Sequence, residues 1–396
     1  MGLLDYYRQF EGVPEEEVNR ELREEAAERR RKALARVTTI DLSQTTWPGL
    51  PHANIVNAIT FTARAGLQRY PHLRGSRLRG ELAERHGVPA ERLIIGNGVA
   101  ELLSAATRAL IGPGQELLTS WPSYPLFPLM ARRAHGRAVP VDVSTAAKDG
   151  AKSPPSGAGE GNGDGGRSRG AGLVDALLAA VPEHRTRVVA LASPNDPTGE
   201  LIATAELRRL LAGLPEGIAV LLDEALVDFA DTQPAEASIA LQEELPHLLV
   251  FRSFSKAWGL AGLRVGYAIG GPGSGELLAE LEPDLGVSEL SQAGALEALR
   301  SGARPRERHV QSVCEERPRL TAELRARGFQ VTDSQANFLW AAHPRLDGSE
   351  LATRMERSGV FVAAGAGLGE PRHVRIALRD AAATDRVLAA VDKALG

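Results

Sequence analysis

At 396 residues, with 43% apolar and 24% charged side chains, the chain has an ordinary globular composition and the length for two or three domains. A formal net charge of −4 gives no reason to expect nucleic acid or an anionic membrane as partner. The single cysteine, Cys314, rules out an internal disulfide and suits a reducing cytoplasm, and neither a basic-then-apolar leader nor a run of about 18 apolar residues is present.

Residues 14–37 predict a helix. Pro14 suits its first turn, Glu15, Glu16 and Glu17 suit the positive end of its dipole, and Val18, Leu22, Ala26, Leu34 and Val37 form a thin apolar stripe. Its basic run, Arg29-Arg30-Arg31-Lys32, reads as a solvated face. Residues 40–51, with Trp47, Pro48 and Gly49, are expected to form an irregular loop. Gln68-Arg69-Tyr70-Pro71 precedes a helical stretch at 77–85; on its own, Tyr70 reads as a partly buried core tyrosine. Leu93-Ile94-Ile95 predicts a short buried strand. Gly96-Asn97-Gly98-Val99-Ala100 and an apolar helix at 102–110 follow it. Strand, glycine turn and helix start aim backbone N–H groups at an anion, although a simple turn explains the glycines equally well. Another strand begins at 117–119 and runs into Trp121-Pro122-Ser123-Tyr124.

Residues 144–171 nearly lack apolar side chains, so a disordered insert is expected there. The G-x-G-x-x-G match inside it, Gly161 to Gly166, follows no strand and opens no helix, so it is not read as a dinucleotide site. A helix is expected at 173–181 and a buried parallel strand at 187–191. That strand leads into Ser193-Pro194-Asn195-Asp196-Pro197-Thr198-Gly199, and open α/β sheets bind ligands at such carboxyl ends. The plainer reading of Asn195 is a helix cap. After a helix at 204–211, the apolar strand 218–222 ends in Asp223, a carboxylate that is costly to bury unless paired.

The apolar run Leu248-Leu249-Val250-Phe251 precedes the most informative stretch, Ser253 to Tyr267, which reads S-x-S-K-x-x-G-L-x-G-L-R-x-G-Y. Lys256 offers an amine to a carbonyl carbon. Ser253, Ser255 and Arg264 offer what a phosphate dianion needs. A lone lysine here would read as a surface residue; a string this long and ordered does not. Pyridoxal 5'-phosphate (PLP) carries both an aldehyde and a phosphate. From residue 275 on, helices are expected at 288–299, 315–327 and 384–395, and strands at 330–332, 337–340, 360–362 and 373–378. Metal-binding histidine spacings and a G-x-x-x-x-G-K-[ST] loop are missing, so no metal is expected; the formal G-x-S-x-G match at Gly166–Gly170 lies in the low-complexity stretch with no apolar strand before it and is not read as a nucleophile elbow.

The lysine string resembles the motif of the fold-type I PLP enzymes, in the branch of histidinol-phosphate aminotransferase and threonine-phosphate decarboxylase. The resemblance implies an α/β fold: a large domain with a mixed, mostly parallel sheet between helices, and a smaller α/β domain. It implies an arm helix and active-site loop at 1–50, a PLP-binding domain at 51–274 and a small domain at 275–396. It also implies the roles. Lys256 holds PLP as a Schiff base, Asp223 pairs with the protonated ring nitrogen, and Asn195 meets the phenolic oxygen. Ser253, Ser255, Arg264 and the turn Gly98, Val99 and Ala100 hold the phosphate. Tyr124, with Trp121 as second candidate, stacks on the ring. Tyr70 reaches the phosphate of the other subunit in a homodimer. Arg375 binds the substrate carboxylate with Asn337 as companion, and the loop carrying Trp47 covers the site.

Four departures stand out. Thr45-Thr46-Trp47-Pro48 replaces Asn-Glu-Asn-Pro, Asp196 replaces the second Asn of P-N-N-P-T-G, and Leu226 replaces the tyrosine of D-E-A-Y. Ala363 occupies the place of an arginine found in members with phosphorylated substrates. The expected activity is therefore an aminotransferase acting on an amino acid and a 2-oxo acid, in biosynthetic or specialised metabolism, and not on histidinol phosphate. A PLP-dependent lyase is the alternative, ahead of a non-catalytic PLP-binding sensor.

Overall fold

The computed structural model describes residues 38–72, 75–142, 169–181, 185–283 and 285–396. The expected helix at 14–37 and the insert up to residue 168 lie outside the described residues. In chain order the strands are β1 (Ile40–Leu42), β2 (Leu93–Gly96), β3 (Glu116–Trp121), β4 (Arg137–Asp142), β5 (Thr186–Ala192), β6 (Ala219–Asp223), β7 (Leu248–Ser253), β8 (Gly266–Ile269), β9 (Gln330–Val331), β10 (Phe338–Ala342), β11 (Val360–Ala364) and β12 (His373–Ala377). The helices are α1 (Ala53–Gly66), α2 (Ser76–His86), α3 (Val99–Leu110), α4 (Leu126–Arg133), α5 (Arg169–Ala180), α6 (Thr204–Gly213), α7 (Ala237–Leu241), α8 (Gly275–Leu281), α9 (Glu289–Ser301), α10 (Ala303–Ala326), α11 (Gly348–Glu356) and α12 (Ala381–Leu395).

Two compact units share these elements. Among the described residues, the larger holds those within 46–196 and 200–310; the other holds 38–45, the turn 197–199 and 311–396. Residues 275–310 thus group with the larger unit, whereas the resemblance implied a break at 275. Gly294 on α9 suggests why. A Cβ there would lie 2.5 Å from Leu263 and 3.0 Å from Ile59 on α1, so the bare glycine lets the two helices meet.

The larger unit is built on a seven-stranded sheet in the order β2-β8-β7-β6-β5-β3-β4. Pairs within β4-β3-β5-β6-β7 are parallel, and β8 runs antiparallel to both β7 and β2. The near-continuous apolar runs of β5, β6 and β7 are what a strand needs when both faces are covered. Side chains alternate between two core clusters, as the pleat requires. Val189, Val220, Leu222 and Val250 join one cluster, and Val188, Leu221, Leu249 and Phe251 join the other. Because β2 and β7 are both antiparallel to β8, they run the same way. The carboxyl ends of β2, β3, β5, β6 and β7 therefore open on one edge of the sheet, where such folds bind ligands.

The second unit has a five-stranded sheet, β1-β11-β12-β10-β9, in which only β1 and β11 pair in parallel. Ile40–Leu42, expected to be loop, is strand β1. Its partner Val360–Ala364 lies far along the chain, and Ile40 N–H donates to the Gly359 carbonyl at 2.8 Å. The helix expected at 315–327 starts much earlier, at Ala303. Pro305 falls in its first turn, where a missing N–H breaks no helical bond. Helices α1, α4, α7, α8 and α11 and strands β4 and β8 had no counterpart in the sequence reading.

Candidate functional site

The loop after β7 carries Lys256. Ser253 Oγ accepts the N–H of Ser255 at 2.9 Å, and Lys256 carbonyl accepts the N–H of Gly259 at 3.0 Å. Phe254 ties both ends of the loop, donating to Val265 O at 3.1 Å and accepting from Leu260 N at 2.9 Å. A 3-10 turn, Ala261–Leu263, then brings in Arg264, which holds a left-handed conformation with φ 54°. That conformation is rare for a side-chain-bearing residue, and such strain gathers at functional sites. Its Nη1 donates to Ala261 O at 3.0 Å.

Across from this loop, β2 ends at Gly96 and α3 starts at Val99. Gly98 precedes α3 with φ 87° and gives no side-chain cap. A Cβ on Gly98 would lie 2.4 Å from Arg264 Nη2, so only glycine lets the guanidinium approach the helix start. Gly266 serves the same junction: its Cβ would fall 2.5 Å from the backbone nitrogen of Val99. Arg264 and the positive end of α3 thus share one corner, which suits a dianion.

Asp223 ends β6. It is only 8% exposed, and its Oδ1 accepts the N–H of Ala225 at 2.9 Å. Burial pushes its carboxyl up to about 6, against the lowering effects of the Ala225 N–H and of Lys256. Tyr124, after β3, packs edge-on against Phe127 with centroids 5.4 Å apart. Burial, then the nearby charges of Asp223 and Asp196, hold its hydroxyl in the neutral form.

These loops enclose a cavity of about 260 Å³. Val99, Ala100, Tyr124, Asp223, Ser253, Ser255, Lys256 and Arg264, all expected at one site, line it. Thr46, Ala192, Pro194, Asp196, Ala225, Leu226 and Ala261 complete the wall. A dianion suits its Arg264 corner, a cation suits Asp223, and Lys256 contributes an amine.

The family model for aminotransferase class I and II matches residues 37–391. The chain belongs to the class I and II aminotransferase family. It is 33% identical to an aromatic amino acid aminotransferase of Streptomyces coelicolor, over 86% of this chain and 85% of that one. It is equally 33% identical to a histidinol-phosphate aminotransferase of Anaeromyxobacter, over 84% and 85%. Among solved structures, histidinol-phosphate aminotransferase from Sinorhizobium meliloti in complex with pyridoxal-5'-phosphate superposes with a TM-score of 0.75 at 24% identity, covering 93% of this chain and 94% of that one. Threonine-phosphate decarboxylase from Porphyromonas gingivalis shares the fold at a TM-score of 0.70 and 20% identity, covering 90% and 99%.

Some expected residues of this aminotransferase are not among those that line the cavity. Asn195 is buried beside it with its amide occupied: Ser123 Oγ donates to Oδ1 at 2.7 Å, and Nδ2 donates to Pro122 O at 3.0 Å. Its neighbours Pro194 and Asp196 line the wall instead. Trp121 is not among the lining residues. Trp47 stacks on His309, with centroids 4.4 Å apart and planes 10° apart, and fits against Gly259, where a Cβ would lie 2.8 Å from the indole. It lines a separate crevice of about 20 Å³ with Leu50, Ile55 and Trp258. Tyr70 is 85% exposed, outside the cavity. In the C-terminal unit, Arg375 Nη2 donates to Ser43 O at 3.0 Å and Asn337 Nδ2 donates to Thr45 O at 3.0 Å.

A buried polar network next to Asp223 escaped the sequence reading. Arg252 on β7 donates to Glu224 Oε2 at 2.9 and 3.1 Å and to Glu236 Oε1 at 2.9 Å. Glu236 also meets His86, whose other ring nitrogen meets the Tyr267 hydroxyl, both at 2.9 Å. The only sequence signal was a second acid beside Asp223 and a lone arginine closing an apolar strand. Among the described residues, no cluster of His, Cys, Asp and Glu could hold a metal ion, and no helix is long and apolar enough to cross a membrane.

Proposed function

We propose that this aminotransferase carries PLP on Lys256 and transaminates an α-amino acid with a 2-oxo acid. The observation that carries this reading is the single cavity lined by Lys256, Asp223 and Arg264. The group fits the residues present. The Gly98 cradle beside Arg264, with Ser253 and Ser255, suits the phosphate. The buried Asp223 carboxyl, raised to about 6 by burial, would be stabilised as an anion by a cationic ring N–H. Tyr124 offers a flat face for stacking. When bound, PLP supplies an electron sink for negative charge developing at the substrate α-carbon.

The chain's own residues do the rest. Lys256 would hold the cofactor through its aldehyde, and its amine, once freed, would move a proton at the substrate α-carbon, as base and then as acid. Asp223 would pair with the cofactor's protonated ring nitrogen. Arg375, with Asn337 in the same unit, is the proposed anchor for the substrate carboxylate, a bidentate pairing that fixes orientation. The exposed side chains of Phe61, Leu67 and Tyr70, 76%, 71% and 85% accessible in a single chain, support a homodimer in which Tyr70 serves the neighbouring site. One thiol and no spanning helix among the described residues agree with a cytoplasmic enzyme.

An aromatic amino acid is the first substrate to test, because relatives at 31–34% identity carry that name. Histidinol phosphate is disfavoured, since Ala363 on β11, paired with Arg375 on β12, offers no cation to a phosphate ester. The apolar Leu226 in the cavity wall favours one second reading, a PLP-dependent decarboxylase or eliminase. A panel of amino acids on the loaded enzyme, with product analysis, separates the two. Keto acid with loss of the cofactor's aldehyde band supports transamination. Carbon dioxide or ammonia with that band retained refutes it in favour of the lyase.

A further inference from the structure

Side chains that do not line the cavity converge on the turn that carries Lys256. That turn is closed by the bond from Gly259 N–H to Lys256 O at 3.0 Å, and Gly259 holds a left-handed φ of 70°. A Cβ on Gly259 would lie 2.8 Å from the Trp47 indole, so the indole rests directly on the backbone of the turn. Trp47 is itself stacked on His309, with centroids 4.4 Å apart and planes 10° apart. His309 in turn meets Phe229 edge-on at 5.7 Å. Three residues earlier on α10, Arg306 covers the ring of Trp258, the neighbour of Gly259, at 4.9 Å. Arg306 also pairs with Asp228, the neighbour of Phe229. Positions three apart share a face of a helix. One face of α10 therefore grips both the lysine turn and the turn Val227–Phe229, which follows Leu226 of the cavity wall. His309 serves in this cluster as a flat ring: it is buried, its Nε2 has no hydrogen-bond partner, and burial pushes it down to about 4, so the ring is uncharged near neutrality.

We infer that Trp47 is a positioning residue for Lys256: clamped on His309, its indole fixes the turn 256–259 and with it the place from which the lysine amine reaches the substrate α-carbon. Gly259 has no side chain to anchor the turn, and its conformation is one that glycine enters and leaves at little cost. The indole lying on it supplies the missing constraint. A proton passing from the α-carbon to the Lys256 amine is sensitive to reach, and a displacement of about 1 Å costs on the order of a hundredfold in rate. Binding of the substrate carboxylate falls to Arg375 in the proposed function, so the clamp governs rate rather than affinity. This inference rests on the reading of Lys256 as the PLP-bearing lysine.

The test is a stopped-flow half-reaction on the PLP-loaded protein, following loss of the cofactor's aldehyde band after an amino acid is added. In Trp47→Ala the limiting rate should fall by about ten- to a hundredfold, while the half-saturating concentration of amino acid stays within about threefold. Deuterium at the substrate α-carbon should slow the variant further, which marks proton transfer as the step that suffers. Trp47→Phe and His309→Phe, which keep two stacked rings, should recover most of the rate. His309→Ala should repeat the loss, and provides the measurement if Trp47→Ala does not fold. Two alanine variants with the wild-type limiting rate overturn the clamp. So does a raised half-saturating concentration at unchanged rate, which would mean that Trp47 acts on the substrate through its neighbour Thr46 in the cavity wall. A slowed variant indifferent to deuterium overturns it as well. A wild-type protein with no Lys256-dependent band overturns the proposed function, and this inference with it.

Discussion

Replacing Asp223 by Asn should make the cofactor-free protein more stable and the loaded enzyme far slower. The carboxyl sits at the end of β6 with 8% of its surface exposed, and burial raises it from 3.8 to about 6. The folded protein therefore binds this proton more tightly than the unfolded chain does. The resulting stability is fully present below pH 3.8 and is lost as pH rises through about 6. Two pH units of difference correspond to roughly 3 kcal/mol. Asparagine cannot ionise, and its Oδ1 can keep the Ala225 N–H. Its own amide N–H groups cost about 1–2 kcal/mol where they find no acceptor. Urea unfolding of cofactor-free protein at pH 8 should thus favour Asp223→Asn by about 1–2 kcal/mol, and the advantage should shrink as pH falls toward 4. Other carboxylates are common to both proteins and cancel in the difference. With PLP bound, the variant should lose turnover a thousandfold or more, about 4 kcal/mol of barrier. A variant no more stable than wild type at pH 8, or one with near-normal turnover, would refute this reasoning.

Gly98→Ala should weaken PLP binding at least tenfold by fluorescence titration, because its Cβ meets Arg264 Nη2 at 2.4 Å in a backbone with φ 87°. Arg252→Ala leaves buried Glu224 without its guanidinium and should destabilise the fold by about 3–5 kcal/mol in denaturant. The double change with Glu224→Leu should recover much of that loss, a coupling that a double-mutant cycle measures directly. Arg375→Ala should raise KM for amino acids tenfold or more while PLP affinity stays within twofold; a parallel loss of PLP would contradict its assignment to the carboxylate.

The lysine loop was legible in the sequence because its chemistry is local. Ser253, Ser255, Lys256 and Arg264 fall within one turn-rich stretch, and spacing alone brings them to one wall. Asp223 was legible for a different reason: an acid closing an apolar strand needs a partner wherever that strand lies. The choice between Asn195 and Asp196 was not legible. Two neighbours in a turn point in different directions, and here Asn195 N–H donates to Glu200 O while the amide side chain meets Ser123 and Pro122. That geometry comes from another loop, after β3, and no spacing rule records it. The partner of Trp47 was not legible either: it stands in a Pro/Gly loop, and His309, on α10, supplies the stacking face that takes the indole. The β1 strand hid for lack of its partner: three residues become a strand only when β11 lies beside them.

Borohydride reduction of the PLP-loaded protein, followed by peptide mass mapping, tests the central claim most directly. Reduction fixes the cofactor onto the amine that holds it. The tag should appear on the peptide containing Lys256 and vanish in Lys256→Ala. A tag on another lysine, or a Lys256→Ala protein that keeps the reducible visible band, would contradict the account.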